Sequence, residues 1–211
     1  MKKVVYVIVA SLVLYLGANF RWVHAAAVVA VSPAEQCDQQ LLHAAKTRIA
    51  GLFGGEESSP WLRCLGKPVL GQGVVIGTTN FMPGLPSIIL LSPEGSQLDV
   101  IAHEWAHAEL AERVGVLVRT YRVPTWFDEG LAMQVDERSA YGIAALALLS
   151  EDRHVDAPSR EQLTSPSGFF FPGAQGVFHY AWSRQEVADW LRDNDLASFV
   201  DTVSLFRQPE L

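Results

Sequence analysis

The sequence of 211 residues predicts an α+β fold that is mainly helical, in which a small β-sheet precedes a helix carrying the motif His-Glu-x-x-His. Two patterns predict this fold. Apolar residues recur at helical spacing over most of the chain, whereas short runs of β-branched residues, divided by Gly and Pro, occur between positions 66 and 93. Hydrophobic residues make up 49% of the chain, which is enough for one packed core.

The N-terminal segment, residues 1–31, has the character of an export signal. Two lysines precede an apolar run over residues 4–20, and small residues follow. Three interpretations remain open. One is a signal peptide cleaved after Ala25, and another is an uncleaved anchor, since a run of about 17 residues just reaches the length that spans a bilayer. A buried N-terminal core helix is a third. We expect an exported protein of the bacterial periplasm, held at the inner membrane or released from it.

An N-terminal helical region, residues 32–65, is predicted next. The capping box Ser32-Pro33-Ala34-Glu35 predicts the start of its helix, and the pair Gly54-Gly55 predicts the end. The remaining chain, residues 66–211, is predicted to be the functional domain.

This domain is expected to begin with two strands, residues 74–76 and 88–91, joined by a loop over 80–86. Ser96, as N-cap, begins the helix that carries the motif, and Gly115 ends it. A linker leads to Pro124, after which a second, short helix begins. The later elements are a buried helix over 141–149, a loop over 158–173 and two helices over 175–192 and 196–206.

Cys37 and Cys64 are the only cysteines. No metal-ligand spacing surrounds them, so in an oxidising compartment we expect a disulfide bond, which would stabilise the fold by roughly 3–4 kcal/mol. Two unrelated buried thiols are the alternative.

The charge balance argues against one class of partner. Sixteen Lys and Arg residues face 23 Asp and Glu residues, which gives a formal net charge of −7. Binding to a phosphate backbone requires clustered basic side chains, so no nucleic-acid partner is expected.

The motif itself is His103-Glu104-Trp105-Ala106-His107. Residues four apart on a helix share one face, so both imidazoles can bind one Zn²⁺ ion. Glu104 is rotated by about 100° from His103 and can reach the open coordination position instead.

A catalytic zinc site usually has three protein ligands and a water molecule. Residues 108–114 contain no further histidine, and Glu109 lies on a different face of the same helix. Glu129 is better placed, because it lies on a separate helix that can turn towards the first.

The segment Pro124–Ala132, PTWFDEGLA, resembles the W-[FL]-x-E-G-x-A segment of gluzincin peptidases, including zinc aminopeptidases and bacterial peptidase-MA-like families. The resemblance covers roughly residues 66–190. It implies a minimal gluzincin core in which Glu129 is the third zinc ligand beside His103 and His107. The G-x-M-E-N segment of the aminopeptidases is not matched by Gly84-Leu85-Pro86-Ser87, so aminopeptidase specificity does not follow.

The expected activity is hydrolysis of a peptide bond in a peptide or protein substrate, with Glu104 as general base for the zinc-bound water. Gluzincins commonly supply Tyr or His from a later helix to the oxyanion. Here Tyr180 is favoured over His179, and the alternatives are a core aromatic and an exposed histidine. A zinc hydrolase for non-peptide amides or esters, or a catalytically silent zinc-stabilised binding protein, are the competing hypotheses.

Three carboxylates are candidates for orienting the imidazoles. Asp99 and Asp128 are explained more simply as first-turn caps, while Asp136 is the better candidate or else a surface charge. In gluzincins an extended peptide substrate adds to the edge of the small sheet. Residues 71–77 could form that edge here, or they could form a strand with a purely structural role. Phe169–Phe171 are expected to form a buried plug of their loop, and the alternatives are that they line a pocket or approach the membrane.

Overall fold

The computed structural model describes residues 20–31, 37–66, 76–142, 144, 146–147 and 158–204. Over these residues the fold is mixed α+β and mainly helical, as predicted. In chain order the helices are α1 (Phe20–Val31), α2 (Gln39–Phe53), α3 (Leu98–Val114), α4 (Val116–Arg122), α5 (Thr125–Ala132), α6 (Pro166–Phe169), α7 (Ala174–Asp193) and α8 (Leu196–Ser204). The strands are β1 (Trp61–Cys64), β2 (Gly77–Met82) and β3 (Leu85–Leu91), and a 3-10 turn spans Ser139–Tyr141.

The three strands form one sheet in the order β1-β3-β2, with β3 parallel to β1 and antiparallel to β2. The predicted strand over 88–91 is confirmed. The loop predicted over 80–86 is wrong: β2 continues to Met82, and only Pro83 and Gly84 form the turn, where Gly84 has a φ of 79°. Gly tolerates this left-handed conformation, which permits a tight hairpin. Ile76 precedes the strand, and residues 74–75 lie outside the described part of the chain.

Strand β3 is buried on both faces over its last four residues, which explains the uninterrupted apolar run from Ile88 to Leu91. Ile89 and Leu91 belong to the main core together with residues of α3. Ile88 and Leu90 point the other way and pack against α1. The sheet is therefore a middle layer between α3, which carries the motif, and α1.

Helix α1 is tied to the sheet by both apolar and polar contacts. Ala25 is buried against Leu65, Ile88 and Leu90, and the indole nitrogen of Trp22 donates a hydrogen bond of 3.0 Å to the carbonyl oxygen of Pro86. The apolar run that precedes α1 lies outside the described residues, apart from Phe20. Within the described ranges, no helix has both the length and the apolar character that crossing a membrane requires.

We expect a fragment that begins at residue 26, as cleavage after Ala25 would produce, to be less stable than one that begins at residue 20. The shorter fragment loses the contacts of Trp22 and Ala25, which should lower the free energy of unfolding by roughly 2–4 kcal/mol. Urea unfolding of both purified fragments measures this difference. Equal unfolding free energies would show that α1 does not stabilise the domain.

The predicted disulfide is present. Cys37, just before α2, is bonded to Cys64 at the end of β1, with their Cα atoms 5.3 Å apart. The bond fixes the start of α2 to the edge of the sheet.

Two helix starts differ from the prediction. Helix α2 begins at Gln39, where Asp38 caps it by accepting a hydrogen bond from the backbone N–H of Gln40; the predicted capping box lies outside the described residues. The predicted end at Gly54 is confirmed. Ser96 does not cap α3, because its hydroxyl donates to the carbonyl of Ser92 instead.

The later elements are partly as predicted. The end of α3 at Gly115 and the two C-terminal helices, α7 and α8, are confirmed. The linker after Gly115 is itself helical (α4), and the loop over 158–173 contains the short α6. Of the helix predicted to be buried over 141–149, Ala144 and Ala147 are exposed, and residues 143, 145 and 148–149 lie outside the described residues.

Candidate metal centre

Helices α3 and α5 bring three possible ligands to one point. His103 and His107 project from the same face of α3, and Glu129 faces them from α5. One ligand atom from each residue lies within 4.8 Å of the others, and all three side chains are buried. The structure thus brings together the three predicted ligands and could hold a metal ion between them.

The distances fit a cation better than direct hydrogen bonds. Oε2 of Glu129 lies 3.3 Å from Nε2 of His103 and 3.5 Å from Nε2 of His107. Metal–ligand bonds of about 2.0–2.2 Å in a tetrahedral site place neighbouring ligand atoms roughly 3.3–3.6 Å apart. Among the described residues, this buried oxygen has no hydrogen-bond partner, and a metal ion would satisfy it.

The imidazole of His107 is oriented by Asp128. Nδ1 of His107 lies 2.9 Å from Oδ1 of Asp128, which leaves Nε2 for the metal. Arg119 from α4 pairs with both carboxylate oxygens of Asp128. The interpretation of Asp128 as a first-turn cap is therefore wrong, since this carboxylate is used in a tertiary contact.

The imidazole of His103 faces Asp136 in the same way. Its Nδ1 lies 3.4 Å from Oδ2 of Asp136, which is longer than a usual hydrogen bond, and among the described residues this buried nitrogen has no hydrogen-bond partner. Asp136 is 0% exposed, and the guanidinium of Arg138 contacts both of its oxygens. Of the three carboxylates considered, Asp136 is thus the one that faces His103, and its interpretation as a surface charge is wrong because it is buried.

Asp99 contacts neither imidazole. Its Oδ1 accepts hydrogen bonds from Nη1 of Arg48, at 2.7 Å, and from the backbone N–H of Glu137, at 3.0 Å. Arg48 also donates to the carbonyl of Val135. Asp99 therefore fixes the backbone on either side of Asp136 instead of capping α3 or orienting a ligand.

Glu104 and Glu109 are both buried in α3, but they have different surroundings. Oε2 of Glu104 accepts a hydrogen bond of 2.6 Å from the hydroxyl of Thr79 on β2. Glu109 accepts bonds from the backbone N–H groups of Glu57 and Ser58 and from Arg113. Glu109 thus anchors the loop after α2, in agreement with its rejection as a metal ligand.

Of the two predicted oxyanion donors, the structure brings only Tyr180 to the centre. Its ring lies 6.1 Å from the ring of His103. Burial, together with the negative charges of Glu129 and Glu104, raises the pKa of Tyr180, so its hydroxyl stays protonated and can donate.

His179 is directed elsewhere. Its Nδ1 lies 2.7 Å from the carbonyl oxygen of Phe169, and its ring contacts those of Phe169 and Phe171. It is buried, so the alternative of an exposed histidine is also wrong. Phe169 plugs the loop as expected, whereas Phe170 and Phe171 are exposed.

Gly130 directly follows Glu129 in α5, and the packing of α5 against α7 leaves no room there for a side chain. A Cβ atom at this position would lie 2.4 Å from the carbonyl oxygen of Ser183 on α7 and 2.7 Å from Cγ2 of Val187. The absent side chain lets α5 approach α7 closely, which brings Glu129 and Tyr180 to the same centre.

Without a metal, the cluster carries paired charges. Burial alone would lower the pKa of His107, but the charges of Asp128 and Glu129 outweigh it and raise this pKa to about 10. The pKa of His103 is raised in the same way, against its burial, by Asp136 and Glu129. The pKa of Glu129, which burial would raise, is held well below its usual value by the two histidines. At neutral pH the imidazole of His107 therefore carries a second proton, which a metal must displace, and His103 binds its second proton more tightly than a free imidazole does.

We expect metal uptake at pH 7 to release about one proton per ion from His107, and more if His103 is also charged, so the apparent metal affinity increases as the pH rises. The affinity increases with pH because the pKa values of the two histidines are raised, and at a pH below these values protons compete with the metal for the imidazole nitrogens. Titration calorimetry in two buffers of different ionisation enthalpy measures the release. Identical heats in both buffers would contradict the protonation of the metal-free cluster.

No protein-family model, curated protein or solved structure matches the chain.

Proposed function

We propose that the protein is an exported zinc-dependent metallopeptidase. The observation that carries this proposal is the convergence of His103, His107 and Glu129 on one buried point. Glu104 follows His103 directly on α3. Three protein ligands leave a coordination position open, as catalytic zinc sites do, whereas structural sites use four.

The donor set favours zinc. Two imidazole nitrogens and one carboxylate oxygen are common ligands of catalytic Zn²⁺. Ca²⁺ and Mg²⁺ prefer sites built from oxygen ligands alone. Carboxylates on the distal nitrogens of both histidines are also the usual arrangement around such ions.

The chain's own groups then have distinct roles. A bound zinc ion supplies Lewis acidity, which activates water and polarises a carbonyl group. The carboxylate of Glu104 takes the proton of the attacking water and later delivers it to the leaving amine. The hydroxyl of Tyr180 donates a hydrogen bond to the oxygen on which negative charge develops.

The resemblance to gluzincin peptidases supports peptides as the substrate class. It rests on HExxH and on the segment that contains Trp126, Glu129 and Gly130; 21 residues separate the second histidine of the motif from Glu129. Trp126 is buried and Gly130 packs on α7, so both residues support the position of Glu129. We propose that the domain is a minimal gluzincin core.

Export is supported by the disulfide and by the N-terminal sequence. A bond between Cys37 and Cys64 persists in an oxidising compartment such as the bacterial periplasm. The basic and apolar residues that precede α1 would direct the chain there and, if uncleaved, hold it at the inner membrane. We propose no nucleic-acid partner.

Digestion of a peptide library by the full chain tests this function. Cleaved products identified by mass spectrometry, lost on chelation and restored by zinc, are the expected result. Cleavage of amide or ester substrates but not of peptides would favour the second hypothesis of a different zinc hydrolase. Zinc binding without any turnover would favour a binding protein.

A further inference from the structure

We infer that strand β2 fixes the position of the Glu104 carboxylate: Thr79 holds one of its oxygens, and Gly77 leaves room beside the other. The inference deepens the proposed function, because it rests on Glu104 as the general base. Thr79 and Gly77 would then be positioning residues that act through Glu104.

The Thr79 hydroxyl contacts both the side chain and the backbone of Glu104. Its hydroxyl oxygen lies 2.6 Å from Oε2 and 2.8 Å from the backbone carbonyl oxygen of Glu104. Both separations are within hydrogen-bond range, and the one proton of the hydroxyl is shared between these two acceptors. Oε2 is thereby held by the strand, and Oε1 remains to accept a proton.

Gly77 lies beside that second oxygen. A Cβ atom on Gly77 would be 3.0 Å from Oε1 and 2.9 Å from Cγ of Glu104, and also 2.9 Å from Cγ1 of Val100. These separations are shorter than van der Waals contacts, so any side chain at this position would displace the carboxylate. The φ of Gly77 is not in the left-handed region, so the requirement for glycine is one of space.

The alternation of a β-strand places both residues on the face that meets α3. Thr78, between them, points to the opposite face, where Nη2 of Arg21 lies 3.5 Å from its hydroxyl oxygen. Among the described residues, strand β2 pairs with β3 alone and is therefore an edge strand. Strand β2 is held in place by its pairing with β3, and its Thr79 contacts Glu104 on α3.

Fixing the carboxylate matters for proton transfer. A general base must lie within hydrogen-bond reach of its proton, and partners that orient groups around a metal typically contribute about 10–100-fold to activity. Loss of the Thr79 hydroxyl should therefore lower kcat and leave KM unchanged, since the metal ligands and the substrate contacts remain.

The test compares Thr79→Val with Thr79→Ser in the zinc-loaded full chain, on a peptide that the wild type cleaves. Thr78→Val is the matched control, because it makes the same change on the opposite face. We expect a fall in kcat of at least about 10-fold for Thr79→Val, near-complete rescue by Thr79→Ser and no change for Thr78→Val. Zinc content should be equal in all variants. Equal kcat values for Thr79→Val and Thr78→Val, or no rescue by serine, would overturn the inference.

A second measurement does not depend on activity. The shift that Thr79→Val causes in the urea midpoint of unfolding is compared in the wild type and in a Glu104→Ala background. A smaller shift in the alanine background supports the contact, and an equal shift overturns it. The two proposals can also fail separately. If the wild type cleaves no peptide but the shift is still smaller in the Glu104→Ala background, the proposed function fails and the contact between Thr79 and Glu104 stands.

Discussion

Replacing Glu104 with glutamine is expected to lower kcat by roughly 10²–10⁴-fold, the usual contribution of a general base. The amide keeps the size of the side chain and its acceptor oxygen for Thr79, but it cannot take a proton from water. Since His103, His107 and Glu129 are unchanged, the variant should still bind one metal ion per chain. Peptide cleavage and metal content, measured on the same sample, test both expectations.

Glu112→Gln provides the matched control. Glu112 lies on the same helix but is exposed, so this substitution should change neither activity nor metal content. Undiminished activity of Glu104→Gln would exclude Glu104 as the base. Loss of metal from Glu104→Gln would mean that the residue supports the ion directly.

Substitution of Glu129 by alanine is expected to weaken metal binding far more than Glu104→Gln does. Two histidines remain, and the affinity should fall by more than the roughly 100-fold that loss of an orienting partner typically causes. Activity should disappear with the metal. Elemental analysis after dialysis measures the content, and competition with a chelating dye measures the affinity.

Glu161→Ala, at an exposed position far along the chain, serves as the control for Glu129→Ala. It should retain one ion per chain and full activity. If Glu129→Ala also retained its metal at wild-type affinity, the third ligand would have to be another residue.

The convergence of the two histidines of the candidate site could be predicted because their geometry is local. Two histidines four residues apart on a helix face the same side whatever the rest of the fold does. Glu129 required the resemblance of a second segment, since its approach depends on how α5 packs. The α+β class followed from hydrophobic periodicity, which is the most reliable signal in a single sequence.

The groups that orient the ligands could not be predicted in the same way. Asp128 has a residue type and position that suit a helix cap, and only the tertiary approach of Arg119 and His107 shows its actual contacts. Asp136 and Arg138 are close in sequence, but nothing local indicates that their pair is buried. Thr79 is an unremarkable strand residue until α3 packs against its face.

The edges of the sheet were predicted poorly for a related reason. Strand β1 has only four residues and no clear alternation, so its assignment depends on pairing with β3. The loop predicted over 80–86 is wrong at its start, because Asn80 has a residue type that is common in turns but pairs with Ile88 in the sheet.

Crystals of the full chain grown with one equivalent of zinc, with diffraction recorded on both sides of the zinc absorption edge, test the central claim most directly. We predict one anomalous peak about 2.0–2.2 Å from Nε2 of His103, Nε2 of His107 and a carboxylate oxygen of Glu129. A peak at other residues, or none between these three in crystals that contain zinc, would contradict the account.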